Sequence, residues 1–305
     1  LQAGKAFQHY LLRRVIRLYP LVILGTLIGA LAHAAPCDLS TTTLIRLTAQ
    51  GVVLVPELGS HPDAATFMVL DPPAWSLFFE MVASVLFGLG LWRGRLRIAL
   101  AALVVSGCAL VWAALHYGSF DTGWTYDSLG AGMARVAFAF GLGVVLHRAY
   151  RSGARIPVNL GFWSLASIFG LLIFSGFSSL AFQFLCVFAL FPMILLAAAE
   201  IQGNEPAAFY RWSGELSFPL YILHWPIYLW VGIVAARMGF DRFPILLAAT
   251  ALLSAGIVAV VAYFNFDRPI RRWLSSRLES LSEWTERAGR GQERENDRQA
   301  AVPRR

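Results

Sequence analysis

Glu80 is the side chain whose placement most demands a chemical reason. It falls in DPPAWSLFFE, Asp71 to Glu80, early in the apolar run WSLFFEMVASVLFGLGLW. A charge inside such a run costs about 2.5–3.5 kcal/mol on the insertion scale, so an ionisable group there points to function by default. Ser76 lies one turn earlier on the same helical face. Arg135, in GAGMARVAFAFGLG, is the second intramembrane charge. At ~1.5 Å per residue, Glu80 lies about 9 Å and Arg135 about 8 Å below the same surface. Opposite charges in one layer lower each other's desolvation cost, so the two are expected to pair. His224 is the third, in LSFPLYILHWPIYLW between Pro219 and Pro226. Each proline removes a backbone donor and frees a carbonyl, which is tolerated at membrane depth only beside polar partners. Histidine there suits proton transfer near neutral pH or a hydrogen bond across helices, and both readings stand.

Two further stretches carry chemistry or packing. HYLLRRVIRLYP, His9 to Pro20, sets Arg13, Arg14 and Arg17 on neighbouring helical faces just before an apolar run. It reads as a topology signal touching anionic lipid, or as a site for an anionic ligand such as a nucleotide phosphate. GTLIG, Gly25 to Gly29, has the small-residue spacing of closely packed helices.

The elements that hold these residues are membrane helices. Of 305 residues, 57% are hydrophobic and only 14% charged, against about 25% charged in soluble domains. Apolar runs at 18–35, 74–92, 98–116, 130–149, 157–175, 180–200, 216–236 and 243–265 each approach the ~20 residues that span a bilayer. The fold class is therefore all-α, a polytopic transmembrane helix bundle with eight spans. The first run is longer than the apolar core of a signal peptide and reads as a span. The shorter run 42–56, with Arg46 and Gln50, reads as a helix lying at the interface.

Arginines cluster in alternate loops, around 13–17, 93–97, 148–155, 211 and 268–277, while the opposite loops hold Arg46, Arg237 and Arg242. The basic set is expected to be cytoplasmic, which places both ends there. After the last span, FDRPIRRWLSSRLESLSEWTERAG repeats large apolar residues at helical spacing and reads as an amphipathic helix on the inner leaflet. The polar end GRGQERENDRQAAVPRR reads as disordered. Residues 1–274 thus form a transmembrane domain and 275–305 a cytoplasmic helix and tail.

Several function classes drop out. The net charge of +7 tracks the loops, so topology rather than nucleic acid explains it. Cys37, Cys108 and Cys186 show no metal or redox spacing. There is no phosphate loop and no H-E-x-x-H zinc motif. No metal site and no bound cofactor are expected.

Four stretches together resemble the acyltransferase 3 family of membrane-bound O-acyltransferases: LLRRVIRLYP, PPAWSLFFE, LSFPLYILHWPIYLW and FDRPIRRWL. Their order spans about 260 residues. ARVAFAFGLGVVLHR is similar to that family's arginine-bearing helix. The resemblance implies a ten-helix bundle in a bacterial inner membrane. It implies an acyl group, usually acetyl, taken from cytoplasmic acyl-CoA to a hydroxyl of a polysaccharide or other surface glycan. Membrane lipid, acyl-CoA and a glycan acceptor are then the partners, and no nucleic acid. By the same resemblance Arg14 and Arg17 match the basic motif near the acyl donor. Trp75, Ser76 and Glu80 match the WS-x-x-x-E motif, Arg135 the buried arginine, and His224 the late YLxHxP histidine. Glu80, Arg135 and His224 are thus the catalytic candidates, and Arg14, Arg17, Trp75 and Ser76 the substrate-binding ones. The chain departs from the family at its start. It opens at Leu1, just before the basic motif, where members carry two earlier helices and a histidine held catalytic. The expectation is eight spans of ten in an amino-terminally truncated member. Asp267 also stands where the family's terminal motif commonly has glutamate.

Two other classes remain open on the sequence. A transporter or flippase of a lipid-linked glycan also uses intramembrane charges and broken helices, although no inverted repeat is visible. A truncated chain also fits an inactive scaffold.

Overall fold

The computed structural model describes residues 2–36, 39–57, 66–90, 96–156, 161–176, 179–201 and 207–280. The tail expected to be disordered, from 281 on, lies outside them. Among the described residues all regular structure is helical. The helices are α1 (Gln2–Ala34), α2 (Thr41–Val52), α3 (Ala74–Gly88), α4 (Leu96–Tyr117), α5 (Leu129–Arg151), α6 (Phe162–Phe174), α7 (Leu180–Leu185), α8 (Phe191–Ala198), α9 (Ala207–Met238) and α10 (Pro244–Ala262). A π turn, Cys186–Leu190, joins α7 to α8, and a second, Tyr263–Asp267, extends α10.

In each of the eight apolar runs the described residues are mainly helical. Six segments are long and apolar enough to cross a membrane: Phe7–Ala34, Leu96–Tyr117, Tyr126–Arg151, Leu180–Ala198, Phe209–Met238 and Pro244–Ser280. α3 and α6 are shorter, at 15 and 13 residues, or about 22 and 20 Å. The bundle of apolar helices identifies an integral membrane protein. The last helix runs from Pro244 through the π turn to Ser280 without a break. The described part of the carboxy-terminal segment therefore continues the final helix and does not begin a new one.

The run expected to form a helix at the interface is the helix α2, and the structure shows what it packs on. α2 starts at Ser40, whose hydroxyl caps the Thr43 N–H at 3.2 Å. It then packs back along α1, with Leu47 beside Ala30 and Leu70 and with Gly51 against Thr26. The chain re-emerges at Phe67, Met68, Leu70 and Asp71, all buried. Gly25 and Gly29 make this possible. A Cβ on Gly29 would stand 2.1 Å from the Leu70 carbonyl oxygen, and one on Gly25 would stand 2.9 Å from Asp71 Oδ2. The glycine pair receives non-helical backbone, where simple helix-on-helix packing was expected. Such backbone at membrane depth is tolerated only when buried in protein.

The main core joins α1, this re-entrant segment, α3, α9 and α10 through Leu21, Val22, Phe67, Phe79, Ile222 and Leu223. α1 and α3 run antiparallel: Phe7 meets Gly88, Arg14 meets Glu80, and Gly25 meets Asp71. α4 and α5 form a second core around Leu110, Phe120 and Phe138.

Candidate functional site

Glu80 and Arg14 form the ionic centre of the site. The Arg14 Nη1 donates to Glu80 Oε1 at 2.5 Å. The pair is 27% and 40% exposed, so solvent screens it and it contributes about 1 kcal/mol or less to stability. This corrects two expectations. Glu80 does not pair with Arg135, and it does not lie near the end of the bundle where α3 begins. Depth counted from Ala74 misleads, because the re-entrant segment delivers α3 partway down α1. Arg14 precedes Ala34 by twenty residues, about 30 Å of helix. That carries Glu80 to the end of the bundle bearing Arg13, Arg14 and Arg17.

Arg135 turns the other way. Its Nη1 donates to the Thr122 carbonyl at 2.8 Å and lies 3.8 Å from the exposed Asp121 carboxylate. Its guanidinium carbon is 5.1 Å from the centre of the Trp75 ring. The cause is local. Gly123, at φ +106°, lies so close to Gly132 that a Cβ on it would be 2.3 Å from the Gly132 Cα. Only glycine at both positions lets the 121–123 carbonyls reach over α5. Arg135 also borders a cavity of about 820 Å³ with Asp121, Gln183 and Cys186, beside the first π turn. π turns recur at functional sites.

Ser76, one turn before Glu80, points to α9. Its hydroxyl is 2.7 Å from the Tyr221 hydroxyl, which itself donates to the Pro73 carbonyl at 2.9 Å. Three residues on, the His224 Nδ1 lies 2.6 Å from the Tyr221 carbonyl oxygen. A carbonyl only accepts, so in the neutral ring Nδ1 carries the proton and Nε2 keeps its lone pair. His224 and Tyr221 line a groove of about 750 Å³ between α9 and α10. Pro226 has no N–H, so the Ile222 carbonyl lacks its usual helical partner. That carbonyl faces Gly25, 3.2 Å from where a Cβ would sit.

The structure therefore links Trp75, Ser76, Tyr221 and His224, with Arg135 stacked beside Trp75 and Glu80 a turn below Ser76. Arg135 and His224 line separate cavities, and Tyr221 belongs to that of His224. Arg17 stands apart from Arg14 and faces a different cleft. Among the described residues no three His, Cys, Asp or Glu side chains gather as metal ligands would.

Two residues escaped the sequence reading. Tyr221 joins the α3 and α9 motifs, and its one signal was its place three residues before His224. Asp71 is 3% exposed with neither carboxylate oxygen hydrogen-bonded. Its signal was Gly25, which leaves it room.

No curated protein and no solved structure matches the chain. A family model described as an acyltransferase domain, that of acyltransferase 3, matches residues 3–264 and so takes in every candidate site residue. The chain belongs to the acyltransferase 3 family and is a membrane acyltransferase.

Proposed function

We propose that the protein moves an acyl group, most simply acetyl, from acyl-CoA to a hydroxyl of a surface glycan. The observation that carries the site assignment is the Ser76–Tyr221 hydroxyl contact, which ties the two motif helices together, with His224 held on the Tyr221 backbone carbonyl and the Arg14–Glu80 pair a turn along α3. In this reading the basic end of the bundle is cytoplasmic and meets the donor. The membrane is a bacterial inner membrane with both ends of the chain on the cytoplasmic side.

The acceptor oxygen attacks the thioester carbonyl, the C–S bond breaks, and CoA leaves as the thiolate. The hydroxyl proton passes to a base, and His224 Nε2 is the lone pair that its Nδ1 bond leaves free. Tyr221 and Ser76 hold that histidine's helix against α3. Arg14 holds the Glu80 carboxylate in place through their ion pair. Arg135, with one arm held by Thr122, has further N–H groups for an oxyanion or a polar acceptor.

The test is glycan acylation from radiolabelled acetyl-CoA in membranes carrying the full-length protein. Glu80→Gln is expected to abolish transfer while leaving expression and insertion intact. Normal acylation by that variant would sink the assignment.

A further inference from the structure

Asp71 is buried, and the acyl-transfer scheme above gives it no task. It is 3% exposed, and neither of its carboxylate oxygens has a hydrogen-bond partner. It also has no ion-pair partner among the described residues. A bare carboxylate is among the costliest groups to take out of water, so something must neutralise it. Asp71 lines a cavity of about 20 Å³ between α1, α2 and the re-entrant segment. That is room for one water-sized particle. Thr26, Gln50 and Glu57 are the other polar side chains in its lining.

The charges around the cavity leave one negative unit over. Arg46 donates to Glu57 Oε1, and those two groups cancel. Asp71 remains. The Gln50 side-chain oxygen is also buried with no hydrogen-bond donor. A proton on Asp71 supplies a single donor to this group of acceptors. A hard cation takes carboxylate, amide, hydroxyl and backbone oxygens at once. One unbalanced carboxylate matches one positive charge, whereas a divalent ion would leave a surplus in a place shielded from water. Val69 and Leu70, from the irregular backbone, line the same cavity. Non-helical carbonyls at membrane depth are what alkali cations use elsewhere in membrane proteins.

We propose that this cavity binds one monovalent alkali cation of the size of sodium, on Asp71, Gln50, Thr26 and the re-entrant backbone. Its effect is on position. The Asp71 carbonyl accepts the Ala74 N–H at 2.9 Å, at the first residue of α3. Two residues after Asp71, the Pro73 carbonyl accepts the Tyr221 hydroxyl. The ion therefore clamps the entry of the helix that carries Trp75, Ser76 and Glu80. It clamps it to α1 and α2, which touch at this level: a Cβ on Gly51 would stand 2.7 Å from Thr26 Cγ2. Thr26 lies twelve residues beyond Arg14, about 18 Å along α1. The site is thus separate from the basic end of the bundle, and it stands whether or not the acyl donor is acyl-CoA.

The full chain, purified into phosphatidylcholine nanodiscs, is melted while sodium chloride replaces choline chloride at constant ionic strength. The melting temperature is expected to rise by about 3 °C or more for each tenfold increase in sodium above half-saturation. Radioactive sodium held on the nanodiscs should approach one ion per chain and be displaced by unlabelled sodium or potassium. Asp71→Asn keeps the shape and removes the charge. It should lose both the retained ion and the sodium response, and melt no lower than the sodium-free parent. Gln50→Leu keeps the carboxylate and should raise the sodium midpoint at least tenfold, which provides the test if the Asp71→Asn chain does not fold. A parent chain whose melting ignores sodium and potassium overturns the proposal and leaves Asp71 a neutral acid. An unchanged sodium response in either folded variant, or a response to calcium alone, overturns it as well.

Discussion

Phe7–Ala34 and Leu180–Ala198 are both apolar enough to cross a membrane, but they are used differently. Half of the first span's most apolar window is buried inside the protein, against 11% of the second's. The first carries Gly25, Thr26 and Gly29, which admit another backbone at contact distance. The second carries phenylalanines and leucines that stay exposed or half-exposed. Apolarity alone marks a span. Small residues mark the face that meets protein, and in this chain they also mark where polar groups are held.

Five substitutions, one of them also combined with a sixth, would break or sharpen that contrast. The largest effect is expected from Gly29→Ala, since its Cβ would sit 2.1 Å from backbone that cannot give way. About 3 kcal/mol or more should be lost, the upper end of the overpacking range, with little monodisperse protein on size-exclusion chromatography. Its counterpart in the loosely packed half is Gly170→Ala in α6, where nothing lies within 4 Å. That variant should elute and melt as the parent does, or gain up to ~1 kcal/mol from helix propensity. Equal behaviour of the two would erase the distinction.

The next effect is on turnover. His224→Gln should lower kcat about 100-fold, the lower range for loss of a general base. It should leave the melting temperature unchanged. Turnover close to that of the parent would reduce His224 to a packing residue. A smaller effect is expected for Tyr221→Phe, which removes the hydroxyl shared with Ser76 and Pro73. It should cost about 1 kcal/mol of stability. Combined with Ser76→Ala it should cost less than the two losses added together, because the two hydroxyls share one contact. Additive losses would show that they act separately. The smallest change is expected at Leu171, 70% exposed on α6. Leu171→Ala should stay within ~0.5 kcal/mol on a melting curve.

The helical class, the apolar runs and the charged residues were all legible in the sequence, because hydropathy and the rarity of buried charge are local properties. The partner of Glu80 was not. Which arginine meets it depends on the register of α1 against α3, and that register follows from the buried path of Phe67 to Asp71. That path is irregular backbone and has no period to read. Its trace was GTLIG, which announces a close approach without naming what approaches. Tyr221 escaped because a tyrosine in an apolar helix usually signals packing, and its partner Ser76 is 145 residues away.

The π turn at Tyr263–Asp267 has a consequence for anyone drawing this last helix as a wheel. It holds one residue more than an α-helical turn accommodates, so every position after it is rotated by about 100°. A diagram carried straight through from Pro244 would misassign the faces of Arg268 and Arg272. A single-residue deletion between Tyr263 and Asp267 would realign the two halves and swing those arginines off α1. In this helix an insertion of one residue acts as a hinge in angle, and composition would never reveal it.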